Sequence, residues 1–397
     1  MNEQNVIMLR PGKEESLKRF HPWVFSGAIA RKPDLLAEGD VVRVVASNGN
    51  FLGVGHYQIG SIAVRILSFH DVPVDTAFYA TIIEQAYRLR QTLQLIRPDN
   101  NTFRLVHGEG DHLPGLIVDI YGGTAVIQAH SVGMHKDLNL IVAALKQVLP
   151  EDLAEHVFYK SEGTLPYKAD INAVDTYLLG GEQVQDVALE NGLKFHIDWL
   201  KGQKTGFFID QRDNRTLLEQ YAEGRHVLNM FCYTGGFSVY ALRGGAASVD
   251  SVDSSPKAVT LTDRNVTLNF GEEPRHNAVA DDAFKFLKQV SGSKYDLIVL
   301  DPPAFAKHRG AINNALQGYK KLNLSAIEKL APGGLLFTFS CSQAITRDQF
   351  RLAVFSAAAI SGRRVRILHQ LTQPADHPVN IYHPEGEYLK GLVLWVE

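Results

Sequence analysis

The chain has 397 residues and a mass of 44.0 kDa, too long for one ordinary hydrophobic core, so two or three domains are expected. Its 45% apolar and 21% charged shares exclude a disordered or collagen-like chain, and its net charge of −3 excludes a whole-protein basic field. Any nucleic-acid binding must therefore come from local patches. Two cysteines cannot build a disulfide framework or a structural zinc site; Cys232 and Cys341 read as reduced thiols, and no metal is expected. The first twenty residues lack the apolar core of a signal peptide, and no apolar run reaches the ~20 residues of a membrane-spanning helix. A soluble, cytoplasmic protein with no membrane partner is expected.

Along the chain, Val6–Leu9, Val41–Ala46, Phe51–Tyr57 and Ile62–Phe69 are short β-branched or aromatic runs separated by turn residues. Asn48-Gly49 between two of them predicts a hairpin, and the pattern predicts a small closed or nearly closed β-barrel over residues 1–74. Residues 75–200 change grammar. Phe78, Ile82, Ile83, Ala86, Leu89 and Leu93 fall on one side of a predicted helix over Asp75–Ile96, which stops before Pro98. Strands are predicted at Leu116–Ile120 and Ala125–Ala129, a helix at His135–Leu149, and a hairpin in Leu189–Leu200 turning at Asn191-Gly192. This middle part is an α+β domain.

From residue 201 to 397 strands and helices alternate. The predicted strands are His226–Phe231, Ser248–Val252, His276–Val279, Leu297–Leu300, Leu335–Ser340 and Arg364–Gln370. Such alternation implies an α/β fold with a doubly wound, Rossmann-like parallel sheet that binds ligands at the carboxyl ends of its strands.

The candidate chemistry lies at those ends. The first strand and its loop offer Asn229, Phe231, Tyr233, Thr234 and Gly235, where Gly235-Gly236 lets a ligand approach the backbone closely. The loop is neither a P-loop nor a full dinucleotide fingerprint. Asp253 ends the second strand, where a carboxylate can accept both hydroxyl protons of a ribose. A ribose without a pyrophosphate loop fits S-adenosylmethionine (SAM). At the third strand end, Asp282 and Ala283 are placed for adenine, although an acid opening a helix is more often an N-cap. The fourth ends in Asp301-Pro302-Pro303, a rigid corner that can aim a carboxylate and a carbonyl at a flat base. The fifth runs into Cys341 between two serines, where a thiol can be exposed and activated, whereas Cys232 reads as packing.

Taken in order, KTGFFIDQRDNR (204–215), NMFCYTGGF (229–237), DSVDSSPKA (250–258), DDAFKFL, DPPAF, GYK (318–320) and FSCS (339–342) resemble the RlmI-type family. These are SAM-dependent methyltransferases that form 5-methylcytidine in large-subunit (23S) ribosomal RNA. HPWVFSGAI (21–29) resembles the family's N-terminal PUA domain, and LENGLKFHID its central hairpin, so the resemblance spans nearly the whole chain. It implies SAM as cofactor and ribosomal RNA as partner. Cytosine C5 is too weak a nucleophile to be methylated directly, so the resemblance implies a thiolate, Cys341, adding to C6. Asp301 would bond the N3/N4 edge of the ring, and Asp210, Gln211 and Arg212 would contact the cofactor or close its pocket. The two-cysteine RNA cytosine methyltransferases carry a second Cys just after their Asp-x-Pro; here Ala304 stands in its place.

Lys13, Lys18, Arg19, Arg31 and Lys32 are candidate RNA-backbone contacts in the barrel, with Glu14 and Glu15 as counterweights. Tyr57 is a candidate for base stacking, while Trp23 reads as core. Three other readings stand beside this one: methylation of a purine nitrogen, an inactive RNA-binding assembly factor, and a small-molecule methyltransferase. Cys341 argues against the first, the intact acids against the second, and the N-terminal barrel against the third.

Overall fold

The computed structural model describes residues 5–166, 171, 173–181, 184–306 and 308–397. They fall into two compact units, one of 1–189, 197–209 and 375–386, the other of 190–196, 210–374 and 387–397.

The first unit holds two sheets. Six short strands, in the order Trp23–Phe25, Ile62–Ser68, Phe51–Tyr57, Val41–Val45, Val6–Leu9 and Ile29–Arg31, make the N-terminal sheet. Alternating apolar residues turn Ile7, Leu9, Val42, Val44, Val64 and Ile66 into one core, as a half-buried strand pattern requires. The hairpin forms at Asn48-Gly49, with Gly49 at φ +85° and the Asn48 side chain accepting from Asn50 N. Tyr57 is 8% exposed and belongs to this core, so it is not a stacking platform.

A second sheet follows in the order Thr176–Leu179, His156–Tyr159, Thr124–Ala129, Leu116–Tyr121 and Thr102–His107. Helix Thr76–Thr92, capped by Asp75, packs on it. The single helix expected over His135–Leu149 is two pieces, Val132–Lys136 and Leu138–Val148. The break falls at Asp137, whose carboxylate is held by His56 Nε2 at 2.9 Å and the Tyr79 hydroxyl at 2.6 Å.

The second unit is built on seven strands: β1 (His226–Met230), β2 (Ser248–Asp253), β3 (His276–Ala280), β4 (Tyr295–Leu300), β5 (Leu330–Ser340), β6 (Val365–Leu371) and β7 (Lys390–Val396). Their order is β3-β2-β1-β4-β5-β7-β6. The first five run parallel, but β7 is antiparallel to both β5 and β6. The sheet is therefore mixed rather than wholly parallel; the final strand inserts between its two predecessors as an antiparallel member. Leu297, Ile298, Val299 and Leu300 of β4 are all fully buried, as expected for a central strand covered on both faces, each worth roughly 1.5–3 kcal/mol. Register aligns the carboxyl ends: Met230 lies opposite Val252 and Leu300, Asp253 opposite Ala280, and Leu300 opposite Thr338. The order of strands reverses between β1 and β4, and open α/β sheets bind ligands at the carboxyl ends beside such a reversal. Among the described residues no helix is long and apolar enough to cross a membrane.

Candidate active site

The loop after β1 turns by unusual backbone geometry. Phe231, Tyr233 and Gly235 have φ of +60°, +46° and +75°, a left-handed conformation that is costly for the two aromatic residues. Gly235 has no alternative, since a Cβ there would lie 2.6 Å from Thr262 Cγ2. Thr262 Oγ1 donates to Tyr233 O at 3.1 Å and Asn265 Nδ2 to Thr234 O at 2.8 Å, so helix Pro256–Phe270 clamps the loop from outside. Asn229 is 1% exposed and donates to Ser238 Oγ at 2.8 Å, while its Oδ1 is buried without a hydrogen-bond partner. Cys232 is 5% exposed against Thr262, and burial pushes its thiol up to about 12, in keeping with a packing role.

Asp253 at the end of β2 accepts from Tyr233 N at 3.1 Å and Ser255 N at 2.9 Å. It thereby ties the first loop to the second strand, and its carboxylate has acceptor capacity left for hydroxyl donors. Asp281 N reaches Asp253 O at 3.0 Å, drawing in the third strand end. Asp282 is the N-cap of helix Ala283–Gln289, with Oδ1 accepting from Lys285 N at 2.9 Å, and is exposed. Ala283 is buried in the core. A loop closed around glycine, hydroxyl acceptors at the next strand end and an orphaned amide oxygen suit a nucleoside-type ligand such as SAM, and no phosphate cradle is present in the loop.

At the fourth strand end Asp301 is partly exposed and Pro302 is buried. Cys341 Sγ lies 3.9 Å from the Pro302 carbonyl oxygen and is half-buried, so the thiol and the Asp-Pro-Pro corner share one site. Beneath it is a polar network that sequence reading missed. Tyr319 OH joins Ser340 Oγ at 3.0 Å and Ser342 Oγ at 3.1 Å, and Ala306 N donates to Ser342 Oγ at 3.3 Å. Burial raises the Tyr319 phenol, so it stays neutral. Lys390 Nζ donates to Ser342 O at 2.7 Å. Tyr319, Ser340 and Ser342 lie in the GYK and FSCS motifs, but nothing in the sequence joins them, and Lys390 at the head of the apolar run GLVLWV reads as a surface residue.

Asp210, Gln211 and Arg212 are buried, at 6%, 2% and 2% exposure. The Tyr388 hydroxyl donates to Asp210 Oδ2 at 2.7 Å, and Asn214 Nδ2 to Gln211 Oε1 at 2.6 Å. Arg212 Nε lies 3.4 Å from Asp213. The segment opens helix Arg212–Gln220, yet all three side chains are withdrawn from solvent.

Within residues 1–74, Lys13, Lys18, Arg19, Arg31 and Lys32 are all exposed, and only Arg31 lies in a strand. Lys18 is neutralised by Glu15 at 2.9 Å and Glu14 at 3.6 Å, and Lys32 lies 5.1 Å over the Tyr57 ring. Trp23 is only partly buried; its Nε1 donates to Glu109 at 2.9 Å and Arg65 sits over its ring. His21, His383 and Glu385 gather their ligand atoms within 4.8 Å of one another. His21 Nδ1, however, accepts from Trp23 N at 3.2 Å, which puts the hydrogen of a neutral ring on the Nε2 that faces Glu385. At 3.7 Å the contact between His21 Nε2 and Glu385 is longer than a hydrogen bond.

Residues 103–380 match the family described as S-adenosylmethionine-dependent methyltransferase, and residues 7–69 match the PUA-like domain. The chain is 39% identical over 392 residues to ribosomal RNA large subunit methyltransferase I of Alteromonas mediterranea, covering 98% of both. It is 40% identical over 396 residues to the protein of that name from Tolumonas auensis, again covering 98% of both. A solved chain from Streptococcus mutans, described as a SAM-dependent methyltransferase, is 25% identical with a TM-score of 0.83 over 99% of this chain and 100% of that one. A further structure, SMU.776 complexed with SAH, is 25% identical with a TM-score of 0.84 and the same coverage. With these matches spanning nearly its full length, the chain belongs to the SAM-dependent methyltransferases, in the family of ribosomal RNA large subunit methyltransferase I.

Proposed function

We propose that this enzyme methylates C5 of a cytidine in large-subunit (23S) ribosomal RNA, through a transient bond between Cys341 and C6 of the ring. The observation that carries this reading is the 3.9 Å approach of Cys341 Sγ to the Pro302 carbonyl, beside Asp301 at the adjoining strand end. Relatives named for ribosomal RNA support the substrate class, and methylation of a purine nitrogen gives no reason for a thiol at that place. The proposed division of labour gives residues 1–74 to RNA binding, 75–200 to a central domain and 201–397 to methyl transfer. Acting on ribosomal RNA would place the enzyme in the bacterial cytoplasm.

Asn229, Phe231, Tyr233, Thr234, Gly235, Asp253, Asp282, Ala283, Asp301 and Pro302 would hold SAM, with Asp210, Gln211 and Arg212 closing its pocket. When bound, SAM supplies an electrophilic methyl group. Cys341, as thiolate, forms a bond to C6 and breaks the ring's 5,6 double bond, placing electron density on C5. Asp301 holds the N3/N4 edge and steadies the charge that develops on the ring. After C5 takes the methyl group its proton passes to a base, such as a water molecule, the C5–H electron pair re-forms the double bond and the C6–S pair leaves with the sulfur as thiolate. With Ala304 where the two-cysteine enzymes carry their second thiol, Cys341 acts without that partner. The target base must be extruded or unpaired to reach the site, at a cost of a few kcal/mol. Lys13, Arg19, Arg31 and Lys32 are the proposed backbone contacts; Lys18, paired twice with glutamates, contributes less.

Incubation with a 5-fluorocytidine-substituted ribosomal RNA transcript tests the reading. Fluorine at C5 cannot leave as a proton does, so a SAM-dependent covalent complex should accumulate and map by mass spectrometry to Cys341. A methylated product without any adduct, or an adduct elsewhere in the chain, would refute it.

A further inference from the structure

Lys390 is 3% exposed at the head of β7. Burying a lysine is costly unless its charge finds a use. Antiparallel register sets it directly opposite Ser340, the residue before Cys341, and its Nζ donates to the carbonyl of Ser342, the residue after, at 2.7 Å. The ammonium group thus spans the turn that carries the sulfur. Tyr319 fixes the same turn from the other side by its bonds to Ser340 and Ser342.

We infer that Lys390 is a positioning residue for the reaction: its buried ammonium group fixes the Ser340-Cys341-Ser342 turn and supplies the positive charge that keeps the Cys341 sulfur ionised. The inference rests on the reading of Cys341 as nucleophile.

The charges around Lys390 favour this pairing. Burial lowers its pKa to about 8, while Cys341 and Glu387 oppose that shift and Arg347 adds to it. Glu387 is itself engaged by Arg347, in an ion pair. Cys341 is the larger of the two favourable charges, and coupling is mutual: what a thiolate does to hold a proton on the lysine, the lysine does to remove one from the thiol. At neutral pH the ammonium is mostly intact; above about 8 it is lost, and the thiolate loses its support on the alkaline side.

The test is the pH dependence of iodoacetamide alkylation at Cys341 in the full chain, read by peptide mass spectrometry. Cys232, buried and with its thiol pushed up to about 12, is an internal control that should stay unmodified. The wild-type midpoint at Cys341 should lie at least about one unit below the ~8.5 of an ordinary thiol. Lys390→Met should move it up by about one unit and slow alkylation at pH 7 roughly tenfold, while Lys390→Arg, which keeps the charge, should stay near wild type. A wild-type midpoint at or above the ordinary value overturns the inference whether or not the variants fold, as does a Lys390→Met profile that superposes on the wild type. If the thiol is acidic and lysine-dependent yet no 5-fluorocytidine adduct forms, the pairing stands and the nucleophile assignment falls.

Discussion

Arg215 holds Glu190 by two parallel hydrogen bonds, Nε to Oε1 at 2.9 Å and Nη2 to Oε2 at 2.7 Å, with both side chains closed to solvent. The Tyr240 hydroxyl adds a third bond to Oε1 at 3.0 Å. Gly236, which opens the helix after the cofactor loop, passes so close that a Cβ there would lie 3.0 Å from Arg215 Cδ. The pair therefore sits under the start of that helix.

Removing one member leaves the other as an uncompensated buried charge. Glu190→Met should cost about 3–5 kcal/mol in urea unfolding, and the double variant Glu190→Met/Arg215→Met clearly less than the sum of the two single changes. Strict additivity in that cycle would mean the two charges are not coupled.

Cys341→Ala is expected to abolish methyl transfer while leaving SAM affinity nearly unchanged, since the proposed role puts the thiol against the base rather than the cofactor. Cys232→Ala should retain most activity and lose only ~1 kcal/mol of stability from a small cavity. Radiolabelled methyl transfer to ribosomal RNA and calorimetric SAM titration separate the two. Wild-type turnover by the Cys341 variant would remove the covalent route.

Gly235→Ala tests the backbone approach. At φ +75° and 2.6 Å from Thr262, an added methyl must displace the helix clamp as well as accept a strained conformation. Weakening of SAM binding by tenfold or more is expected, with a stability loss of about 1–3 kcal/mol. Equal SAM affinity in the two proteins would show that this loop does not contact the cofactor.

Asp250 gives a pH signature away from the site. Burial alone would raise its pKa, but bonds from Lys294 at 2.8 Å, the Tyr295 hydroxyl at 2.5 Å and Asn277 at 3.0 Å outweigh it and hold the group below its ordinary value. A depressed folded pKa contributes stability above the unfolded value of about 3.9, and that contribution disappears as pH falls through the folded one. Asp250→Asn should therefore lose about 1.5–3 kcal/mol at pH 7, and the gap to wild type should close below about pH 4. A gap that persists unchanged to pH 3 would point to packing rather than charge.

The strand ends of the catalytic unit were legible because each is an apolar run stopped by an acid, a glycine pair or a thiol. Asp253, Asp301 and Cys341 needed only the alternation of strand and helix to be set on one edge. The antiparallel strand Lys390–Val396 was not legible, since periodicity reports burial but not direction. Lys390 itself was missed for the same kind of reason: nothing local distinguishes a lysine buried against a carbonyl 48 positions earlier from one in solvent. Tyr57 and the break at Asp137 likewise depend on partners remote in sequence, such as His56 and Tyr79. Local patterns carry periodicity and turns; they do not carry long-range contacts.

The interleaved path of the polypeptide limits how this enzyme can be cut or shuffled. Leu193–His196 is bonded to helix Pro256–Phe270 through Lys194 N to Asn269 and His196 N to Asn265, yet 197–209 and 375–386 belong to the other compact unit. No single scission releases the catalytic half as a continuous, complete piece. Truncation libraries should yield few soluble fragments, and recombination between relatives should succeed mainly when several exchange points are moved together.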